Sequence, residues 1–148
     1  MKKAFFVVCR VLLGSVFAVS GLMKLLQPSG QFLAAILSFE ITGGFPARAL
    51  AATLPWVEWV LGVFLILGLW SEWAALGLWA LNSVFVVVLA SVLARRLPID
   101  HCGCFGEKFT LPVWGTLLLD IGIWGVFFLF HKHGLRRRSL SLDKLFTT

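Results

Sequence analysis

The chain has 148 residues, of which 59% are hydrophobic and 14% charged, with a formal net charge of +6 and a mean hydropathy of +0.94. That balance excludes an ordinary soluble domain and puts the chain in a bilayer. Each span takes about 20 apolar residues, so residues 1–148 have room for one membrane domain and no separate soluble one, and the positive charge calls for anionic lipid rather than nucleic acid.

In chain order, residues 4–26 are the first run able to cross. The run is too long for the apolar core of a signal peptide, and no small-x-small cleavage site precedes Lys24, so a retained span is expected. Within it, Arg10 is expected to snorkel to the inner interface and Cys9 to act as a small apolar filler. Residues 27–46 are interrupted by Pro28, Gly43-Gly44 and Pro46, while Phe32, Leu33, Ile36 and Leu37 repeat at helical spacing. This pattern predicts a short amphipathic helix on the outer surface, one wall of a docking site.

Runs 50–70 and 73–94 are separated only by Ser71 and Glu72, which predicts a helical hairpin. A polar segment, 95–110, then leads to a last run at 111–130 and a basic tail at 131–148. Trp56, Trp59, Trp70, Trp73 and Trp114 fall near span ends, as interfacial anchors do; Trp79 and Trp124 sit deeper and read as packing residues. No internal repeat is present. The predicted fold class is an all-α integral membrane protein: a four-transmembrane-helix antiparallel bundle with a short amphipathic surface helix between spans 1 and 2.

Four spans place both termini on one side, with eight of the thirteen Lys and Arg. The positive-inside rule then gives cytoplasmic termini, with Arg136-Arg137-Arg138 beside anionic lipid, and turns the 95–110 segment outward from a bacterial inner membrane. That segment carries Asp100-His101-Cys102-Gly103-Cys104-Phe105-Gly106. Outside the cytosol, a thiol pair can cycle between dithiol and disulfide. Extended chain would hold the two Cα atoms about 6.6–7.2 Å apart, at or beyond the usual disulfide range of about 4.4–6.8 Å, so the loop must bend. Gly103 permits that bend, and the strained bond is readily exchanged. A protonated His101 would favour the thiolate; the alternative is a solvated loop residue. Three other readings stay open for the pair. It could be a static clip, although a loop this short gains little stability from a crosslink. It could be a soft-metal site for copper(I) or mercury(II), since the spacing is not that of zinc. The whole chain could also be a non-catalytic anchor for another enzyme.

Ionisable residues at membrane depth are functional candidates by default. Lys24 ends the first span, and Glu58 and Asp120 lie about two turns into the second and fourth. A pair of Lys24 with Glu58 or Asp120 would offset the cost of burial and line a polar pocket beneath the Cys segment. Such a pocket would bind a partner, pass protons or orient a quinone headgroup; a purely structural ion pair is the alternative. Asn82 is expected to make an interhelical hydrogen bond.

Arg10, Gly14, Ser20-Gly21, Lys24 and Pro28, then Leu54-Pro55-Trp56-Val57-Glu58, then Cys102-Gly103-Cys104-Phe105-Gly106 resemble the MauE branch of the DoxX-like membrane proteins. The resemblance runs from about Arg10 to Phe130. It implies a four-helix membrane bundle associated with redox maturation of a periplasmic protein, methylamine dehydrogenase being one candidate. The implied partner is a thioredoxin-fold protein like MauD, exchanging disulfides with Cys102 or Cys104.

Overall fold

The computed structural model describes residues 2–41, 43–96 and 112–133. Cys102, Cys104, His101 and most of the basic tail lie outside the described residues. Among those described there is no strand. Five helices follow one another: α1 (Lys2–Leu26), α2 (Ser29–Ser38), α3 (Gly44–Leu67), α4 (Ser71–Ala94) and α5 (Val113–His133). Three of them hold stretches long and apolar enough to cross a membrane, at Val7–Leu26, Gly44–Leu67 and Ser71–Ala94. At 1.5 Å per residue, the two 24-residue stretches are about 36 Å long, more than the ~30 Å hydrocarbon core. The apolar stretch of α5, Val113–Leu129, is shorter.

Two boundaries differ from those read in the sequence. Helix α3 begins at Gly44, six residues before the expected start at Leu50. Pro46, which reads in the sequence as a breaker, lies in the first turn of α3, where its missing N–H would have had no helical partner anyway. The hairpin turn is Gly68–Trp70, not Ser71-Glu72. Gly68 is left-handed (φ 75°), and the N–H groups of Gly68 and Leu69 both donate to the Phe64 carbonyl, closing α3. Ser71 and Glu72 instead start α4, the carboxylate sitting at the positive end of the helix dipole.

Helices α1 and α3 pack antiparallel with their backbones in contact. A Cβ on Gly62 would stand 2.6 Å from the Ala18 nitrogen, one on Gly21 would stand 2.7 Å from the Pro55 carbonyl oxygen, and one on Gly14 would stand 2.8 Å from the Gly62 carbonyl oxygen. Without a hydrophobic drive between helices in lipid, close approach over small residues supplies the attraction. Arg10, expected to snorkel, has its guanidinium against the α3–α4 turn, where a Cβ on Gly68 would meet Nη1 at 2.7 Å.

Two apolar cores sit at opposite ends of the molecule. Leu13, Phe17, Leu65, Leu78 and Phe127 fill the end near the α3–α4 turn. Phe39, Leu89, Val92 and Val113 fill the other, joining the close of α2 to the end of α4 and the start of α5. Helix α2 is the expected short amphipathic element. Its Phe32 and Ile36 pack on Ala47 of α3, and an exposed Glu40–Arg95 pair at 3.1 Å ties its far side to α4, a contact worth no more than about 1 kcal/mol. Trp70, Trp73 and Trp114, at the α3–α4 turn and the start of α5, are exposed as interfacial anchors would be. Trp56 is exposed and Trp59 half-buried near the middle of α3, so neither sits at a span end as expected, because α3 starts at Gly44.

The glycine contacts make a direct prediction. Gly62→Ala forces a methyl group into the Ala18 backbone and should destabilise the protein by about 1–3 kcal/mol. Gly122→Ala, with nothing within 4 Å of the added Cβ, should not. Thermal unfolding in detergent distinguishes the two, and equal midpoints would sink the close α1–α3 packing.

Candidate functional site

Between the two apolar cores lies a polar layer. Ser20 and Lys24 are one turn apart on α1 and so share a face. The contact of Gly21 with α3 brings that face against Glu58, because a Cβ on Gly21 would stand 3.1 Å from the Glu58 Cβ. Lys24 Nζ donates to Glu58 Oε2 at 2.6 Å and Oε1 at 2.9 Å, and to Ser20 Oγ at 3.1 Å. Both charged side chains are 1% exposed. The rings of Phe32 from α2 and Phe85 from α4 each lie with their centroids 5.3 Å from Nζ, within cation–π range. The ammonium is therefore held by one carboxylate, one hydroxyl and two aromatic faces.

Asn82 and Asp120 complete the layer. Asn82 Nδ2 donates to the backbone carbonyl of Asp120 at 2.9 Å, the expected interhelical bond. Asn82 is 1% exposed, and its Oδ1 has no hydrogen-bond partner among the described residues. Ser20, Lys24, Glu58, Asn82, Phe85 and Asp120 line a common cavity of about 20 Å³, with apolar neighbours that include Val16 and Ile123. That is room for one water, which needs roughly 10–15 Å³.

Of the sequence candidates, Lys24, Glu58 and Asp120 come together, with Glu58 rather than Asp120 as the ion-pair partner. Asp120 lies about two turns into α5, as expected, whereas Glu58 lies near the middle of the 24-residue α3, deeper than expected, because α3 starts about a turn and a half earlier. Sequence reasoning missed Ser20, Phe32 and Phe85 as site residues. The i, i+4 spacing of Ser20 and Lys24 was a usable signal for the first; the two rings had none, since either fits an apolar helix face. Trp79 and Trp124 pack as expected, 5.7 Å apart, with Trp124 Nε1 donating to Ser83 Oγ at 3.0 Å. Cys9 is a half-buried free thiol. Among the described residues no three His, Cys, Asp or Glu side chains converge as a metal site would require.

A sequence profile of the family described as Methylamine utilisation protein MauE matches residues 2–131. The chain belongs to the MauE family. It is also similar to a curated relative, Methylamine utilization protein MauE of Paracoccus denitrificans, 33% identical over 111 residues, covering 74% of this chain. The match spans 59% of that relative's length. No solved structure matches. The family and the apolar helices together make this a membrane protein.

Removing one member of the buried pair should cost about 3–5 kcal/mol, because the partner is left charged and unpaired. Lys24→Met and Glu58→Leu should each destabilise the protein, and the double variant should recover much of the loss. Additive costs in a double-mutant cycle of unfolding midpoints would show that the two residues are not coupled.

Proposed function

We propose that this protein is a four-span accessory protein of a bacterial inner membrane. On this reading its termini are cytoplasmic and its Cys102-Gly103-Cys104 segment faces outward, exchanging disulfides with a thioredoxin-fold, MauD-like protein that matures a periplasmic protein. A methylamine dehydrogenase-type target is one candidate. The observation that carries the reading is the Cys-Gly-Cys pair in the polar segment of a MauE-family membrane chain. It is supported by the flanking helices, since Val92 and Val113 share one buried cluster with Phe39 and the segment is thereby tethered at both ends to the end of the bundle that α2 covers. The fourth span is α5, extended by the residues that flank its apolar stretch.

Chemically, the thiolate of one cysteine attacks the partner's disulfide, forming a mixed disulfide and releasing one partner thiol. The second cysteine then displaces the other partner sulfur, leaving Cys102–Cys104 oxidised and the partner as a dithiol. The reverse direction balances equally and is set by the two reduction potentials. His101, when protonated, would favour the attacking thiolate.

The test is a trap. Cys102→Ser and Cys104→Ser are made separately, membranes are quenched in acid, and reducible adducts are sought by mass spectrometry. An adduct to a thioredoxin-fold protein is expected with one variant, which names the attacking thiol. No adduct with either, together with one copper(I) bound per unmodified chain and lost in both variants, overturns exchange in favour of soft-metal handling. Unchanged maturation activity in the double variant would make the chain an anchor only.

A further inference from the structure

The polar layer contains one more negative group than positive. Lys24 from α1, Glu58 from α3 and Asp120 from α5 are the ionisable side chains lining the cavity; α4 contributes Asn82 and Phe85, and α2 packs the Phe32 ring against the ammonium. The three N–H donors of Lys24 are met by Glu58 Oε1, Glu58 Oε2 and Ser20 Oγ, so the ammonium is committed elsewhere. Its charge neutralises one carboxylate and not two, and an uncompensated charge inside an apolar bundle is costly.

Asn82 supplies the complementary vacancy. Because its Nδ2 donates to the Asp120 carbonyl, the amide orientation is fixed and Oδ1 is an acceptor turned to the other side. That oxygen is buried and unpartnered among the described residues, and Asn82 is one of the residues lining the cavity; an acceptor in this state costs about 1–3 kcal/mol if nothing donates to it. A single proton resolves both deficits: a carboxylic acid is neutral and offers the O–H that Asn82 Oδ1 lacks, either directly or through the one water the cavity admits.

We infer that this cavity is a proton-exchange site, in which Asp120 takes up and returns one proton within the bundle, with Asn82 Oδ1 and one water as its hydrogen-bond partners. Lys24, Glu58 and Ser20 form the fixed half of the site and Asp120 the exchangeable half. Only a proton moves, to and from bulk water, and no bond other than O–H forms or breaks. A small hard cation would satisfy the same charge deficit, but such ions take about six or more oxygen ligands, and Val16, Phe17, Phe85 and Ile123 give the cavity apolar walls. The inference is independent of the cysteine chemistry.

The experiment is infrared spectroscopy of the full chain in lipid nanodiscs at neutral pH, with and without isotopically labelled aspartate, in water and in heavy water. The expected result is a carboxylic-acid carbonyl band that moves with the aspartate label and with deuteration, and that disappears as the buffer is made alkaline. The band should be lost in Asp120→Asn, kept in Glu58→Gln and shifted in Asn82→Leu, the last being a change that a merely structural role for Asn82 would not produce. Labelling of the unmodified chain decides the question even if a variant does not fold. No such band, a band that ignores the aspartate label, or a band abolished by sodium but not by choline would each overturn the inference, the last in favour of a cation site.

Discussion

An ammonium and a carboxylate can be buried in the middle of an apolar helical bundle only if they meet with nothing between them, and here that meeting depends on the backbone contact of α1 with α3. Gly14, Gly21 and Gly62 remove the side chains that would hold the helices apart. The interaxial approach then brings Lys24 to Glu58 at 2.6 and 2.9 Å, bidentate. In a medium of low dielectric, a longer separation would not merely weaken the attraction but leave two desolvated charges, which costs more than the pair returns. The small residues and the ion pair are thus a single feature: the glycines have a reason to be small and the charges a reason to be tolerated.

The remaining elements shape what that pair can do. Helix α2 brings the Phe32 ring onto the ammonium and, through Phe39, seals the ends of α4 and α5. The polar layer therefore lies under an apolar cover, with a second apolar core on its other side. Helices α4 and α5 add Asn82 and Asp120, joined by a hydrogen bond that uses the amide donor and leaves the amide oxygen without a partner among the described residues. One half of the layer has its donors met, while the other half has an unmatched acceptor in Asn82 Oδ1 and the second carboxyl, that of Asp120. Such asymmetry between neighbouring titratable groups is what separates a fixed charge from a group able to change its protonation state.

Much of this was readable in the chain, for definite reasons. Lys24, Glu58 and Asp120 stand out because charges within apolar runs are rare, and Asn82 could be assigned an interhelical bond because a lone amide in a span has few other uses. The helix boundaries were less legible. Pro46 reads as a stop unless it is known to fall in a first turn, and Ser71-Glu72 reads as a turn although Gly68 and the left-handed Trp70 make the reversal. The choice of Glu58 over Asp120 as the partner of Lys24 was not in the sequence at all, because it follows from which helix α1 contacts most closely. Phe32 and Phe85 were hidden for a related reason: an aromatic ring on an apolar face carries no sign of what it will cover.

Several of the residues on α1 and α3 that carry the family resemblance prove to be neighbours in space. Gly14 meets Gly62 and Ile66, Gly21 meets Pro55 and Trp59, Ser20 and Lys24 meet Glu58, and Arg10 lies on Gly68. Scattered over α1 and α3 in the sequence, they form one antiparallel helix pair with a charged centre. A motif of that kind specifies an interface and the ion pair inside it, whereas the Cys102-Gly103-Cys104 element lies in the chain between α4 and α5. The two can therefore vary independently: the helix pair defines a scaffold with a buried ionisable layer, and the proposed exchange would add a chemistry to it. A substitution that breaks the first should unfold the protein, while one that removes the second should leave the bundle intact and silence only the exchange proposed for it. This separation makes it physically reasonable to assign the buried charges and the thiols to different tasks within one small membrane chain.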